Sequence, residues 1–418
     1  MLRQVEIAVK HLEDYRPIVE SEVIEEILDL AEPLKGSRVV HVNATDYGGG
    51  VAEILQALVP LMRDVGLDAH WQVIEGSNEF FNVTKAFHNG LQGMDIPLTQ
   101  EMKATWIRYN QLNAKKFEGP GNGLWDFAVI HDPQPAGLCQ LTRGRPARHW
   151  IWRCHIDTSQ PNREYWDFLV PYLQLYETGI FTMREYVGPG CEFEKLAIIP
   201  PTIDPLSLKN LPMDPAEAAD IVRRLGVDPD RPLISQISRF DPWKDPLGVI
   251  DTYKQVKQVL PEIQLALVGS MASDDPEGWN YLEKTCRRAG EDPDVCIRHN
   301  FNGAGAREVN AFQTHSHVIV QKSTREGFGL VVTEALWKGK PVIGGNVGGI
   351  PLQIVHGVSG YLVNSMPETA EVVIDLLQHP SKADAMGRAG REHVRKHFLL
   401  TRYLRDYLRL FRDLSTCM

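Results

Sequence analysis

The segment REGFGLVVTEA, residues 325–335, places two carboxylates on either side of a glycine-rich turn. Glu326 and Glu334 stand eight positions apart, and the glycines predict a helix start directly after a strand at residues 318–321. Glu326 is then predicted in the loop, and Glu334 about two turns into the helix. Carboxylates suit hydroxyl-rich ligands, Glu326 a sugar and Glu334 a ribose. The alternative is two glutamates on a solvated helix, which the apolar FGLVV between them disfavours.

Two places in the second half of the chain are predicted to bind phosphate. The backbone amides of Phe328, Gly329 and Leu330, at the helix start, are available to an anion. The segment SRFDPWK puts Arg239 and Lys244 between a strand and the next helix. A planar guanidinium and a compact ammonium there suit a diphosphate and the charge that develops on a leaving group. The alternative for this pair is two ordinary surface charges.

The first half offers weaker signals at its predicted strand ends. The turn TDYGGG separates a strand from a helix, so the loop of Gly48, Gly49 and Gly50 predicts either an anion site or a packing turn. His155 follows the apolar strand WIWRC, which predicts either a hydrogen bond to a sugar hydroxyl or a satisfied loop histidine. Residues 131–135, HDPQP, hold a comparable position, and we interpret them as mainly structural and as shaping the acceptor side.

The elements that position these residues alternate strand and helix in both halves, which indicates an α/β fold with two parallel sheets. A strand is expected within residues 181–186 of the first half, and the strands of the second half are expected at residues 233–238, 264–269, 295–299, 318–321, 341–344 and 360–363. A proline-rich connector near residues 200–205 separates the halves, and Asp214, Pro215 and Glu217 predict the first helix of the second half. We predict two Rossmann-like, doubly wound domains facing a cleft, with ligand loops at the carboxyl ends of the strands. The predicted boundaries are 1–205, 206–385 and a C-terminal helical tail, 386–418, that packs back across the domains.

Composition excludes several classes of function. The chain has 418 residues and a formal net charge of −10, so a basic surface for nucleic acid or a membrane is not expected. Its six cysteines are dispersed without a C-x-x-C pair, which argues against structural zinc and a disulfide framework. Asp274 and Asp275 are interpreted as a solvated turn and not as metal ligands. With no predicted signal peptide and no apolar window of membrane-spanning length, we expect a cytoplasmic protein.

Several motifs together carry a family resemblance. The segments REGFGLVVTEA, SRFDPWK, NVGGIP and TDYGGG resemble those of the retaining GT-B glycosyltransferases of family four, over both halves of the chain. Longer segments, among them HVNATDYGGGVAEIL, HDPQPAGL and WRCHIDTSQPNREYW, resemble the trehalose glycosyltransferring synthases within that family. This resemblance implies the GT-B fold and a retaining, reversible glucosyltransferase. Its substrates would be a nucleoside-diphosphate glucose (ADP-, UDP- or GDP-glucose) and free glucose, and its product α,α-trehalose.

The resemblance also assigns roles by position, with the acceptor on the first domain and the nucleotide sugar on the second. The implied catalytic residues are Glu326, His155, Arg239 and Lys244. The implied donor-binding residues are Gly49, Gly50, Arg239, Lys244, Glu326, Gly327, Phe328, Gly329, Leu330 and Glu334. The implied acceptor-binding residues are Tyr47, Glu75, His155 and Asp157.

In the mechanism that the resemblance implies, the leaving phosphate takes the proton of the acceptor, so no protein nucleophile is assigned. The resemblance implies no protein-bound metal and no tightly bound cofactor. Mg²⁺ accompanying the nucleotide and a homodimer are both compatible with it.

Three rival functions stay open at this point. A trehalose phosphorylase of the same fold would bind inorganic phosphate where the nucleotide's phosphate would lie, and a ribose pocket disfavours it. A glucosyltransferase with a sugar phosphate as acceptor would need further cations, for which Lys85, Arg153 and Arg163 are the candidates. A nucleotide-sugar sensor without turnover is the third rival, and the presence of both Glu326 and His155 disfavours it.

Overall fold

A computed structural model describes residues 1–47, 49–119, 121, 123–144, 146–271 and 276–416. Four residues discussed above lie outside the described residues: Gly48, Asp274, Asp275 and Cys417. The chain divides into two compact units, which we call unit 1 (Met1–Thr202 and Leu400–Met418) and unit 2 (Ile203–Leu399).

Strands and helices alternate along the described residues, as the sequence predicts. The strands are β1 (Arg3–Gln4), β2 (Arg38–Asn43), β3 (Asp68–Val73), β4 (Trp125–His131), β5 (Ala147–Arg153), β6 (Thr178–Phe181), β7 (Lys195–Ile198), β8 (Leu233–Ile237), β9 (Gln264–Gly269), β10 (Val295–His299), β11 (Val318–Gln321), β12 (Val342–Gly345) and β13 (Gly360–Val363). The helices are α1 (Ser21–Ala31), α2 (Gly50–Asp64), α3 (Asn78–Leu91), α4 (Gln100–Ala114), α5 (Leu138–Leu141), α6 (Arg163–Leu173), α7 (Pro215–Arg224), α8 (Pro246–Val259), α9 (Pro276–Ala289), α10 (Ala306–His315), α11 (Leu330–Trp337), α12 (Ile350–Gln353), α13 (Met366–Gln378), α14 (Pro380–His397) and α15 (Leu400–Thr416).

Unit 1 contains a seven-stranded sheet in the order β1-β3-β2-β4-β5-β6-β7. The short β1 is antiparallel to β3, and the other neighbours are parallel. Side chains of α3, α4 and α6 pack on one face of this sheet. The opposite face meets α15, where the rings of Phe127 and Phe411 stack with centroids 4.3 Å apart. The sheet is therefore buried on both faces, which agrees with the near-continuous apolar sequences of its central strands.

Unit 2 contains a six-stranded, fully parallel sheet in the order β10-β9-β8-β11-β12-β13. Its first strand lies in the middle and the order reverses between β8 and β11, which is the doubly wound arrangement. The predicted strands at 264–269, 295–299, 318–321 and 360–363 coincide with β9, β10, β11 and β13.

The first helix predicted for the second half of the chain is confirmed as α7. The Asp214 carboxylate accepts hydrogen bonds from the amides of Ala216 (2.8 Å) and Glu217 (3.4 Å), and Pro215 is the first helical residue. Asp214 therefore satisfies two of the amides that a helix start leaves without partners.

The predicted boundaries and one predicted strand differ from the structure. The units divide after Thr202 and after Leu399, not at 205/206 and 385/386. Because α14 packs on α11 and α13, it stays with unit 2, and α15 belongs to unit 1. In the segment 181–186, expected to bear a strand, β6 ends at Phe181 and Arg184–Tyr186 form a 3-10 helix.

Across the described ranges, no helix combines the length and the apolar character needed to cross a membrane.

Candidate functional site

The polar loops of unit 2 lie where its strand order reverses. β8 and β11 are parallel neighbours, with Ile234 paired to Val318. The loops that follow these two strands therefore begin at the same edge of the sheet, where the carboxyl ends of the strands lie. Ligands of doubly wound sheets bind at this switch point, since the helices that follow the two strands leave on opposite faces. One loop carries Lys244 and the other Glu326.

Lys244 and Glu326 form an ion pair at this edge. The Lys244 Nζ lies 2.6 Å from the Glu326 Oε2, and their side chains are only 16% and 10% exposed. Ser323 Oγ donates a further hydrogen bond to the same oxygen at 3.3 Å. The two residues that the sequence placed on different loops are thus brought together, while their roles stay predictions.

Three hydrogen bonds fix the backbone around Lys244. Gln236 Nε2 donates to the Lys244 carbonyl at 2.6 Å, and the Asp241 carboxylate accepts from the Lys244 amide at 3.2 Å. Asp245 follows with a positive φ of 49°, a conformation that costs free energy for a residue other than glycine. Its carboxylate caps α8 at the amide of Gly248, 3.0 Å away. These contacts hold the Lys244 side chain at the switch point.

Arg239, the second predicted cation, lies apart from this pair. Its side chain is 66% exposed, and its nearest described carboxylate is Asp241 at 3.7 Å. An exposed guanidinium at this distance is weakly held by its partner, so Arg239 is available to a ligand.

The turn before α11 presents the predicted amides. Gly329 has a φ of 83°, and the amides of Phe328, Gly329 and Leu330 have no partner among the described residues. A side chain at Gly349 would collide with the Gly327 carbonyl at 2.7 Å, so the backbone of a second turn packs directly against this one. The amides therefore form a compact donor cluster at a helix N-terminus, which suits an anion.

Glu334 is buried, and it lies nearer the start of its helix than the sequence predicts. Because α11 begins at Leu330, Glu334 is its fifth residue, about one turn in and not two. Its side chain is 3% exposed and contacts Lys209 Nζ at 3.5 Å and Gln313 Nε2 at 3.2 Å. Burial raises the pKa of Glu334, but the charges of Lys209 and Lys338 outweigh burial and hold that pKa below its usual value. Glu334 is thus a buried anion.

No sequence pattern predicts Lys209 or Lys338 at this site. Lys209 comes from the connector between β7 and α7, where no pattern predicts its position, and Lys338 follows α11. Burial lowers the pKa of Lys338 to about 8, although the Glu334 carboxylate opposes this shift.

In unit 1 the glycine loop opens α2. Gly49 adopts a φ of 133° as the residue before the helix, and Gly50 is the first helical residue. Tyr47 is 81% exposed, and its carbonyl accepts a hydrogen bond from Thr45 Oγ1 at 2.9 Å. Gly49, Gly50 and Tyr47 therefore lie at one helix start, while Gly48 is outside the described residues.

The remaining acceptor candidates have separate partners. Glu75 is exposed and forms an ion pair with Lys116, and Asn113 hydrogen bonds to both the amide and the carbonyl of Glu75. Asp157 is buried and accepts hydrogen bonds from the amide and the hydroxyl of Ser159, at 3.0 and 2.6 Å.

His155 belongs to a row of three hydrogen-bonded histidines across β2, β4 and the end of β5. The His155 Nε2 lies 3.0 Å from the His131 Nδ1, and the His131 Nε2 lies 3.0 Å from the His41 Nδ1. The amide of His155 donates to the Asp132 carboxylate at 2.8 Å. The sequence predicted neither His41 nor this connection, although a histidine inside the apolar strand RVVHVN was a visible signal.

Burial dominates the electrostatics of this row. It lowers the pKa of His41 to about 3 and holds the pKa values of His131 and His155 well below the usual histidine value. Burial also raises the pKa of Asp132 to about 7, and Asp132 carries a positive φ of 63°. At neutral pH the three imidazoles are therefore uncharged.

Two family comparisons cover most of the chain. Residues 41–188 match the family described as "Trehalose synthase, N-terminal domain", and residues 218–393 match "Glycosyl transferases group 1". The chain is 53% identical to a trehalose synthase of Rubrobacter xylanophilus over 99% of both chains. The chain belongs to the trehalose synthase family of glycosyltransferases.

More distant relatives agree in fold. The chain is 32% identical to a trehalose phosphorylase of Pleurotus pulmonarius over 93% of its own length and 58% of that protein. A solved UDP-forming α,α-trehalose-phosphate synthase from Burkholderia xenovorans superposes with a TM-score of 0.73 at 15% identity, over 91% of this chain and 99% of that one. The predicted GT-B fold, with two Rossmann-like sheets, is confirmed.

The trehalose synthase match in unit 1 spans the histidine row, and the glycosyl transferase match in unit 2 spans the Lys244–Glu326 pair. Within the described residues, no group of three or more His, Cys, Asp or Glu side chains is arranged to hold a metal ion, and the five described cysteines form no disulfide bond.

Proposed function

We propose that this chain is a retaining glucosyltransferase that makes α,α-trehalose from a nucleoside-diphosphate glucose and free glucose, and that the reaction is reversible. The Lys244–Glu326 pair carries the proposal. It holds a cation and a carboxylate 2.6 Å apart at the switch point of unit 2. In a nucleotide sugar the phosphate adjoins the hexose and its hydroxyls. Lys244 can therefore bind the phosphate while Glu326 binds a hexose hydroxyl.

The donor contacts extend from this pair. Lys244 and Arg239 bind the diphosphate, and the amides of residues 327–330 bind its distal end. Glu326 accepts hydrogen bonds from glucose hydroxyls. Glu334, whose contact with Lys209 is long at 3.5 Å, binds the ribose. Gly49 and Gly50 contribute a helix start from unit 1.

The proposed chemical step needs no protein nucleophile. The bond between the anomeric carbon and the leaving phosphate oxygen breaks while the acceptor's anomeric oxygen bonds to the same face of that carbon. The acceptor hydroxyl proton passes to the leaving phosphate. Lys244 and Arg239 stabilise the negative charge that builds on the phosphate. Electrostatic stabilisation of this kind is usually the largest single contribution to an enzyme's rate enhancement.

The acceptor contacts come from unit 1. His155 donates a hydrogen bond to a sugar hydroxyl beside the reacting centre, and Tyr47, Glu75 and Asp157 bind the acceptor glucose. No resident cofactor takes part, and Mg²⁺, where present, accompanies the nucleotide. The described cysteines form no disulfide bond with one another, which supports a cytoplasmic location.

The competing function is a phosphorylase, which the similarity to the Pleurotus protein favours. It would place inorganic phosphate against Lys244 and would leave Glu334 without a ribose.

Product identification separates these functions. The purified protein is incubated with glucose and, in separate reactions, ADP-, UDP- or GDP-glucose or glucose 1-phosphate, with and without EDTA, and the sugar product is identified by NMR. We expect α,α-trehalose and a free nucleoside diphosphate, with and without EDTA. Trehalose from glucose 1-phosphate alone would establish the phosphorylase. No disaccharide from any donor would indicate another acceptor or a sensor.

A further inference from the structure

The row of histidines in unit 1 has an open end and a closed end. His155 is partly exposed, and its Nδ1 is the ring nitrogen that the row leaves for a ligand. At the other end His41 is fully buried, and its Nε2 has no partner in the described part of the chain. The rings of neighbouring histidines lie with centroids 5.3 Å apart at both steps. The three side chains therefore form one continuous path from the surface into the sheet.

The chemistry of neutral imidazole couples the three tautomers. A neutral ring has one N–H donor and one acceptor nitrogen, and His131 uses both of its nitrogens within the row. If its Nε2 accepts from His41, its Nδ1 must donate to His155, and the reverse also holds. The row then has two states. Either all three rings carry the proton on Nδ1, or all three carry it on Nε2.

The closed end selects between these states. With protons on Nε2, His41 would bury an N–H group without an acceptor. With protons on Nδ1, it buries only an unpaired acceptor nitrogen. Orphaned buried N–H groups are rarer in folded proteins than unsatisfied acceptors. The His41 ring also contacts the ring of Tyr407 in α15, with centroids 5.7 Å apart.

We propose that His41 and His131 are positioning residues that fix His155 as the Nδ1–H tautomer, so that it presents a hydrogen-bond donor to a sugar hydroxyl. The proposal rests on the proposed function for the ligand of His155, whereas the tautomer itself is a property of the protein alone. His41 acts through His131 and touches no substrate.

The first measurement is the tautomer of each histidine in the full-length protein. Nitrogen-15 NMR of histidine-labelled protein at neutral pH distinguishes protonated from bare ring nitrogens. We expect His41, His131 and His155 all to carry the proton on Nδ1. A uniform Nε2–H pattern, or a mixture of tautomers within the row, would overturn the proposal without any variant.

Variants then test the connection to the reaction. We expect His41→Leu to shift His155 towards a mixture of tautomers and to lower kcat about tenfold, the value of one neutral hydrogen bond at its upper range. The affinity for a nucleoside diphosphate should not change. His41→Gln, whose amide can donate to the His131 Nε2, should restore both the tautomer and most of the rate.

His149 provides the matched control. It is buried on β5 and bonded to Glu177 at 2.8 Å, outside the row. His149→Gln should leave the tautomer of His155 and kcat unchanged. An equal loss of kcat in both variants, or a His155 tautomer unmoved by His41→Leu, would overturn the proposal. If the wild-type protein forms no trehalose, the proposed function fails, and the NMR result still decides the tautomer.

Discussion

In unit 2 the polar side chains of the candidate site stand in loops beyond the strand ends, whereas in unit 1 they continue into the sheet. Lys244 and Glu326 keep some exposure and pair as opposite charges. His41 is fully buried and uncharged. The difference follows from desolvation, since a charge needs a partner and some contact with solvent, while a neutral imidazole needs only one donor and one acceptor. Under the two proposals, unit 2 would bind its ligand through fixed charges, and unit 1 would orient a single neutral donor.

The largest effect expected on the charged side comes from Glu326→Ala. Transfer should fall about 10²- to 10³-fold, because contacts to the glucose strengthen as the bond breaks. Nucleoside diphosphate affinity, measured by calorimetry, should stay nearly unchanged. Glu371→Ala, at an exposed position on α13, is the control and should behave as wild type. A collapse of nucleotide affinity would show that Glu326 does not contact the sugar.

Lys244→Ala should weaken binding and slow transfer together, each by about tenfold or more, since its charge serves both the bound donor and the departing phosphate. Steady-state kinetics with varied nucleotide sugar separates the two effects. Lys254→Ala is the control, because Lys254 is exposed on α8 and donates a hydrogen bond to the Arg288 carbonyl at 2.9 Å. A wild-type rate for Lys244→Ala would place its side chain outside the donor site.

On the neutral side, the effect is on stability. A histidine whose pKa is lowered on folding makes its full contribution to stability at pH values above its pKa in the unfolded chain. That contribution is lost as the pH falls from the unfolded-state pKa towards the folded-state pKa. For His41, with a pKa of about 3, the loss between pH 7 and pH 5 is about 2 kcal/mol in the free energy of unfolding. The contribution of Asp132, whose pKa burial raises to about 7, rises as the pH falls over the same range and opposes this loss. The His41 contribution is therefore measured as a difference between the wild-type protein and His41→Gln, each unfolded with denaturant at pH 7 and at pH 5. We expect the free energy of unfolding of the wild type to fall by about 2 kcal/mol more than that of the variant. An equal change in both proteins would contradict the burial of a neutral His41.

The smallest predicted effect lies away from both sites. Asp214→Ala should lower the free energy of unfolding of unit 2 by about 1 kcal/mol, because two amides of α7 lose their acceptor. Asp214→Asn should recover most of it. Neither variant should change kcat, and a loss of activity without a loss of stability would show that this cap matters to the site.

The sequence predicted more of unit 2 than of unit 1. Its strands are short apolar runs between turn signals, and the cap at Asp214 could be identified from three neighbouring residues. Lys244 and Glu326 were identified for the same local reason, since each lies in the loop between a strand and the next helix. Their 2.6 Å contact follows from the strand order, which places β8 beside β11.

What the sequence missed depends on contacts between distant segments. The helix start at Leu330 placed Glu334 one turn earlier than expected, and its partner Lys209 comes from 125 positions away. The step from His41 to His131 spans 90 positions and depends on β2 pairing with β4. No local pattern carries such information.

The course of the chain through the two units has a consequence for biosynthesis. Unit 2 is continuous in sequence, but unit 1 takes α15 from beyond it, and α15 packs on α1, α2 and the ring of Phe127. A ribosome releases the first 202 residues long before it releases this helix. During that interval an apolar surface that includes Phe127 lacks the helix that covers it. Unit 1 can therefore complete its core only after the whole of unit 2 has been synthesised.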